Sequence, residues 1–108
     1  MITSILVRKT RIGERPLWEG ALETVLPRIR DVLGAEQGFV SVDYAWSVDE
    51  PGRFAQITSW ETAEDCRRYV RGGGAATVAT IEESAVPTAP YPDGSWVRQT
   101  FESAGSQT

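Results

Sequence analysis

Four side chains in the run 54–60 have types and spacing that could do chemistry. Phe54, Gln56, Thr58 and Trp60 occupy alternate positions, so in a β-strand they share one face. An indole ring stacks on flat molecules and donates from its N–H, and a buried amide can donate to an oxygen that becomes negative. We therefore predict Gln56 and Trp60 as catalytic residues, with Phe54 and Thr58 binding the substrate. The alternatives are a core aromatic at Trp60 and a structural amide at Gln56.

Three further candidate residues lie outside this strand. Tyr69, in a predicted helix, could donate or accept a proton, and we predict it as catalytic. We predict Cys66 and Arg98 as substrate-binding residues, because a pocket arginine could stabilise a phenolate. Each has a simpler alternative: a tyrosine that only packs its ring, a cysteine acting as a small hydrophobe, and a solvated arginine.

The residue inventory excludes several kinds of site. The sequence contains no histidine and a single cysteine. This excludes His-ligated zinc, Ser-His-Asp or Cys-His catalysis, haem held by a proximal histidine, and an iron–sulfur cluster within one chain. The glycine run 72–74 is not followed by the Lys-Ser/Thr of a phosphate-binding loop. We expect neither a metal nor a cofactor.

Charge and hydropathy limit the possible partners. A net charge of −4 without a basic stripe argues against nucleic-acid binding. The N-terminus lacks the charged region and cleavage site of a signal peptide, and no apolar segment reaches membrane-spanning length. We expect a cytoplasmic protein that does not associate with membranes and binds a small, hydrophobic, aromatic substrate.

The elements that position these residues follow from the period of the apolar pattern. The predicted elements are a strand over 2–10, a helix from Pro16 to just before Gly34, strands over 39–46 and 54–60, helices over 63–71 and 75–84, and a strand over 95–102. Pro27 predicts a bend or a break in the first helix. In the second strand, Val40, Val42, Tyr44 and Trp46 are predicted on one face and Phe39 on the other.

This order of elements indicates an α+β fold of the ferredoxin-like split βαβ type, an antiparallel sheet with helices on one face. We predict one domain over residues 1–103, followed by a polar tail over 104–108. The other sheet face needs a cover, and a second copy is the simplest one, so we expect a homodimer. Residues 72–74 and the proline-rich segment 85–94 are predicted to form a hinge and a lid.

The hairpin and the helix after it resemble the antibiotic-biosynthesis monooxygenase family of dimeric α+β barrels. The residues that carry the resemblance are Gly38, Phe39, Asp49, Pro51, Arg53, Phe54, Trp60 and Glu61. The resemblance extends from residue 2 to about residue 71. It implies a pocket between the helices and the sheet of one protomer. In the anthrone-oxidising branch an Asn, a Trp and a Tyr line that pocket, and the matching positions here hold Gln56, Trp60 and Cys66.

The resemblance implies a cofactor-independent monooxygenase that oxidises an aromatic polyketide-like intermediate, an anthrone or a phenol, in secondary-metabolite biosynthesis. The haem-degrading branch of the family uses a His and an Asn, and this sequence contains neither. Two alternatives remain open. One is a non-oxidative cyclase or isomerase of a polyketide-type intermediate that uses the same pocket. The other is a non-enzymatic module that binds a small molecule.

Overall fold

The structure, a computed structural model, describes residues 1–94 and 96–104. Ser95, the predicted first residue of the last strand, and residues 105–108 of the predicted polar tail lie outside the described residues. The described residues form four strands and three helices: β1 (Ile2–Lys9), α1 (Arg15–Gly34), β2 (Phe39–Trp46), β3 (Arg53–Trp60), α2 (Ala63–Arg71), α3 (Gly74–Ala85) and β4 (Val97–Glu102). The predicted order of elements is confirmed.

The strands form one antiparallel sheet in the order β2-β3-β1-β4. Side chains at even positions of β1 and β3 are turned toward the helices and contribute Ile2, Phe54 and Trp60 to the core. The predicted ferredoxin-like α+β fold, with helices on one face of the sheet, is confirmed.

Helix α1 has the apolar stripe that the sequence predicts. Its buried residues are Trp18, Leu22, Val25, Ile29 and Leu33. Pro27 is exposed within an unbroken helix, so the predicted possibility of a break at this residue is wrong. On the exposed side, the carbonyl group that loses its helical partner can bond to water instead. The helix includes Gly34 as its last residue, where the sequence predicted it just outside.

Strand β2 departs from the predicted alternation at its first residues. The register against β3 shifts between Phe39 and Ser41, so that Phe39 pairs with Trp60 and Val40 is 43% exposed. The predicted faces of Phe39 and Val40 are therefore wrong, because a bulge adds one residue and reverses the alternation before it. Val42, Tyr44 and Trp46 remain on the helix side, as predicted.

The C-terminal strand begins at Val97, two residues later than predicted. The Trp96 indole N–H donates to the carbonyl oxygen of Ala89, which holds Trp96 against the preceding segment. That segment is also attached to the end of β1, where the Ala89 amide donates to the Lys9 carbonyl at 2.7 Å. A lid made of residues 85–94 would have to break this bond to open.

The sheet face away from the helices carries both apolar and polar side chains and is partly open. Its β1 and β3 side chains, including Ile5, Val7 and Ile57, are half-buried, while Phe101 on β4 is 49% exposed. Among the described helices, none is both long enough and apolar enough to cross a membrane.

Candidate functional site

The predicted face of β3 lies beneath the helices. Phe54, Gln56, Thr58 and Trp60 are each at most 2% exposed. Alternation alone predicted this shared face, and the helices bury it completely. The four side chains are thus packed in the interior of the protein.

Trp60 contacts the side chains of Thr58, Tyr69 and Phe39. Its indole N–H donates to Thr58 Oγ1 at 2.9 Å. Its ring lies 4.8 Å from the Tyr69 ring and meets Phe39 edge-on at 5.7 Å. In this packing the indole N–H is already paired, as the core-packing alternative predicts, and the catalytic role of Trp60 stays a prediction.

Gln56 belongs to a polar cluster that we define as Arg8, Tyr44, Gln56 and Glu82. The Glu82 carboxylate on α3 is its centre. It accepts hydrogen bonds from Arg8 on β1 and from the Tyr44 hydroxyl on β2. It also accepts one from Gln56 Nε2 on β3, at 2.8 Å. Three strands and one helix therefore meet at a single carboxylate.

Arg8 and Glu82 were not predicted as site residues from the sequence. Both carry charge, and charged side chains are seldom fully buried, yet these two are 0% and 1% exposed. The sequence signal that could have identified these two residues is their position among the apolar residues of β1 and α3. Arg8 alternates with the buried Ile2 and Ser4, and Glu82 lies at helical spacing from Val78 on the apolar side of α3.

Burial and charge together act on Tyr44. Burial is the larger cause and the neighbouring Glu82 carboxylate adds to it, and both raise the pKa of Tyr44 far above its usual range. The phenol therefore stays protonated and donates to Glu82 at every pH at which proteins are ordinarily handled.

Several buried polar atoms near the cluster have no hydrogen-bond partner among the described residues. They include the Tyr69 hydroxyl, Gln56 Oε1, and Nε and Nη1 of Arg8. Leaving such an atom unpaired costs about 1–3 kcal/mol, so native proteins rarely retain it without a reason. Three of these atoms are donors, and they can pair with an oxygen-bearing molecule that enters the interior.

The pKa of Tyr69 is affected both by the buried Glu82 and by Arg98, which is half-buried. Burial raises the pKa of Tyr69, the Arg98 guanidinium opposes that rise, and Glu82 reinforces it. The Tyr69 ring is 1% exposed, so its hydroxyl is a neutral donor in a dry environment. Tyr69 thus lies in the electrostatic field of both the polar cluster and Arg98.

The structure brings Cys66 and Arg98 together at a cleft of about 320 Å³ between α2 and β4. We call it the α2–β4 cleft, and it is lined by Ala63, Cys66, Arg67, Val70, Arg71, Arg98 and Thr100. Arg98 Nη1 donates to Ser4 Oγ at 2.9 Å. Burial raises the pKa of the Cys66 thiol, while the Ser4 hydrogen bond and Arg98 oppose the rise. A protonated thiol serves as an apolar wall and not as a nucleophile.

A second opening lies between α1 and β2. This groove has a volume of about 180 Å³, and its lining includes Leu22, Leu26, Tyr44 and Trp46. Small-molecule sites usually measure about 300–1,000 Å³, a range that the α2–β4 cleft reaches and this groove does not. The α2–β4 cleft is therefore the better substrate site of the two.

Chemically, the arrangement supplies donors and cations more readily than a strong base. Tyr69 and Arg98 can stabilise a negative oxygen, whereas Glu82 already accepts three hydrogen bonds. Among residues 1–94 and 96–104, no group of three or more acidic or thiol side chains is placed to hold a metal ion.

Comparisons with known proteins give a consistent answer at the level of the fold. No family model matches the sequence, and no curated protein is significantly similar to it. Solved structures are similar over almost the whole chain. A putative antibiotic biosynthesis monooxygenase from Bordetella bronchiseptica aligns with a TM-score of 0.71 at 15% identity, covering 95% of this chain and 96% of that one.

Two further structures agree with it. SnoaB, a cofactor-independent oxygenase from Streptomyces nogalater, has a TM-score of 0.64 at 15% identity, with 97% of this chain and 94% of SnoaB covered. A putative antibiotic biosynthesis monooxygenase from Deinococcus radiodurans has a TM-score of 0.66 at 12% identity, with 100% and 97% covered. The fold of this chain is therefore the fold of structures described as antibiotic biosynthesis monooxygenases.

Proposed function

We propose that the protein is a cofactor-independent monooxygenase acting on an aromatic, polyketide-like molecule such as an anthrone or a phenol. The observation that carries this proposal is the set of buried polar atoms that have no partner among residues 1–94 and 96–104, above all the Tyr69 hydroxyl. Gln56 lies on the β3 face that the sequence pattern predicts, and Tyr69 belongs to α2, the helix whose Cys66 and Val70 line the α2–β4 cleft. The fold likeness to a cofactor-independent oxygenase supports the same reading.

The reaction needs little from the protein beyond orientation and charge stabilisation. An anthrone loses a proton from its central CH₂ group to water and becomes an enolate, whose oxygen accepts a hydrogen bond from Tyr69 and interacts with the Arg98 cation. The enolate carbon gives its electrons to O₂ and forms a hydroperoxide after protonation. Loss of water leaves a carbonyl group. One oxygen atom enters the product and the other leaves as water, so no external reductant is consumed.

The second N–H of Gln56 provides another donor in this scheme. One N–H already donates to Glu82, which fixes the orientation of the amide. The other can donate to a substrate oxygen without breaking that bond. The predicted catalytic roles of Gln56 and Tyr69 thus remain proposals that the geometry supports, while Trp60 acts by packing the Tyr69 ring.

Incubation of metal-free, flavin-free protein with anthrone in air tests the proposal, with oxygen uptake and anthraquinone formation as readouts. We expect oxidation well above the rate in buffer of the same pH. Tyr91→Phe provides a control, because Tyr91 is 75% exposed and lines neither the α2–β4 cleft nor the groove between α1 and β2. No acceleration with any enolisable aromatic would overturn the proposal.

The tight packing of the β3 face favours one alternative, a non-enzymatic module that binds small molecules. All four predicted residues of that face are at most 2% exposed. Such a module would bind aromatic ligands in the α2–β4 cleft without converting them. A cyclase or isomerase would convert them equally well in the absence of oxygen. Turnover under anaerobic conditions therefore distinguishes a cyclase or isomerase from a monooxygenase.

We also propose that the protein is a homodimer formed through the open sheet face. Apolar side chains form part of this face, including the half-buried Ile57 and the 49% exposed Phe101. An uncovered apolar sheet face is normally buried against a partner. Ile57→Lys should convert the particle to single chains in light scattering. A wild-type mass equal to one chain would contradict the dimer.

A further inference from the structure

Arginine side chains approach the α2–β4 cleft from two elements. Arg67 and Arg71 come from α2 and are exposed, while Arg98 comes from β4 and is half-buried. Between them lie apolar side chains, including Ala63 and Val70. The cleft therefore combines three cations with an apolar floor in a volume of about 320 Å³.

These three arginines differ from their neighbour Arg68 in their charge partners. Arg68 forms ion pairs with Asp65 at 2.9 Å and with Glu64 at 3.6 Å. Among the described residues, no carboxylate forms an ion pair with Arg67, Arg71 or Arg98. The chain has a net charge of −4, so an unneutralised group of cations around one cleft is not the result of a general excess of basic residues.

Arg98 is also held in place before any ligand arrives. Its Nη1 donates to Ser4 Oγ, and Ser4 is 1% exposed in the middle of the sheet. A guanidinium group fixed in this way loses little freedom on binding, and its remaining N–H groups can pair with the two oxygens of a carboxylate. The cations of the cleft are thus partly preorganised.

We propose that the α2–β4 cleft recognises organic anions, specifically flat aromatic molecules that carry a carboxylate, with Arg67 and Arg71 as the residues that determine this specificity. The aromatic body lies on the apolar floor and the carboxylate lies among the arginines. Identifying this ligand as the substrate rests on the proposed function, whereas the anion selectivity of the cleft stands without it. Inorganic phosphate alone, which lacks an apolar body, is expected to bind much more weakly.

Fluorescence titration under nitrogen tests this inference on the full chain. The probe is 2-anthracenecarboxylate, and the neutral comparison is 2-(hydroxymethyl)anthracene. We expect the acid to bind at least about ten-fold more tightly than the alcohol, and added salt to weaken only the acid. Arg67→Gln and Arg71→Gln should each weaken the acid by about ten-fold or more and leave the alcohol unchanged, because each removes one charge-assisted contact.

Arg68→Gln is the matched control, since Arg68 lies on the same helix but its charge is already paired. It should leave the affinity for the acid unchanged. Equal affinity for acid and alcohol, or an equal loss in all three variants, would overturn the inference. Because binding is measured without oxygen, anion-selective binding by a protein that never oxidises anthrone would refute the proposed function and leave this inference intact.

Discussion

Arg8 and Glu82 lie 74 positions apart in the sequence and form an ion pair whose side chains are 0% and 1% exposed. This pair connects β1 to α3 through the middle of the core. A buried charge that loses its partner is strongly destabilising, whereas replacing both members by apolar residues often is not. The pair therefore makes the stability of the protein depend on both residues together.

Glu82→Gln should lower the free energy of unfolding by about 3–5 kcal/mol, because it leaves the Arg8 guanidinium buried without a counter-charge. The variant Arg8→Met, Tyr44→Phe, Gln56→Leu, Glu82→Leu, which replaces the carboxylate together with all three of its donors, should recover most of that loss. Urea unfolding at neutral pH measures both effects.

The exposed pair between Arg15 and Glu19 supplies the control for this experiment. Glu19→Gln should change the free energy of unfolding by only about 0–1 kcal/mol, because surface ion pairs are screened by water. Equal losses in Glu82→Gln and Glu19→Gln would show that burial of the Arg8–Glu82 pair has no energetic consequence.

Tyr69→Phe should lower the rate of anthrone oxidation and leave the free energy of unfolding nearly unchanged. The Tyr69 hydroxyl has no hydrogen-bond partner among the described residues, so its removal should change the free energy of unfolding by less than about 0.5 kcal/mol. If the hydroxyl stabilises the enolate, the rate of anthrone oxidation should fall by about 100-fold. Tyr44→Phe should behave in the opposite way, losing about 1–3 kcal/mol of stability because Glu82 loses a donor. An unchanged oxidation rate in Tyr69→Phe would remove Tyr69 from the mechanism.

Stability should fall as the pH rises above about 10, where tyrosines of the unfolded chain ionise. The pKa values of Tyr44 and Tyr69 are raised in the folded state by burial. Above pH 10 the folded chain therefore binds more protons than the unfolded chain, and each of these tyrosines should remove about 1.4 kcal/mol of stability per pH unit. The loss continues until the folded-state pKa is reached.

Urea unfolding between pH 9 and pH 11.5 measures this dependence. The double variant Tyr44→Phe, Tyr69→Phe should have a flatter profile in this range. Tyr91→Phe should keep the wild-type slope, because Tyr91 is 75% exposed. A wild-type slope in the double variant would assign the alkaline loss to other groups.

Gly38→Ala should destabilise the protein, because Gly38 has φ of +80° and an added Cβ would lie 2.0 Å from Asp65 Oδ2. The left-handed backbone alone costs about 1–2 kcal/mol for a residue with a side chain. Gly20→Ala is the control: its Cβ would meet nothing within 4 Å, and in the middle of α1 it should stabilise by about 0.5–1 kcal/mol. Thermal unfolding compares the two, and equal melting temperatures would contradict the clash at Gly38.

The apolar pattern predicted those helices and strands in which the spacing of apolar residues stays constant along the element. The stripe from Trp18 to Leu33 and the alternation from Phe54 to Trp60 are such cases, and both are buried as expected. The pattern failed at Phe39 and Val40, because a bulge shifts the register by one residue and leaves no trace in residue type.

The site was harder to predict than the fold for a related reason. Gln56 and Tyr69 were predicted because a polar group on an apolar face is conspicuous within a single element, and their catalytic roles stay predictions. Arg8 and Glu82 were missed because each is ordinary in its own element, and only the tertiary contact makes them a pair. The three arginines of the α2–β4 cleft likewise meet only when β4 pairs with β1.

The central position of β1 has a consequence for the way the chain is made. Strand β1 is hydrogen-bonded on one side to β3 and on the other to β4, both of which are synthesised after it, and Ile2 pairs with both Trp60 and Glu102. Neither partner exists until much later in synthesis, so the N-terminal strand must wait, unpaired, for nearly the whole chain. The four-stranded sheet can therefore close only after β4 has been made, and this dependence on distant segments is expected to slow folding.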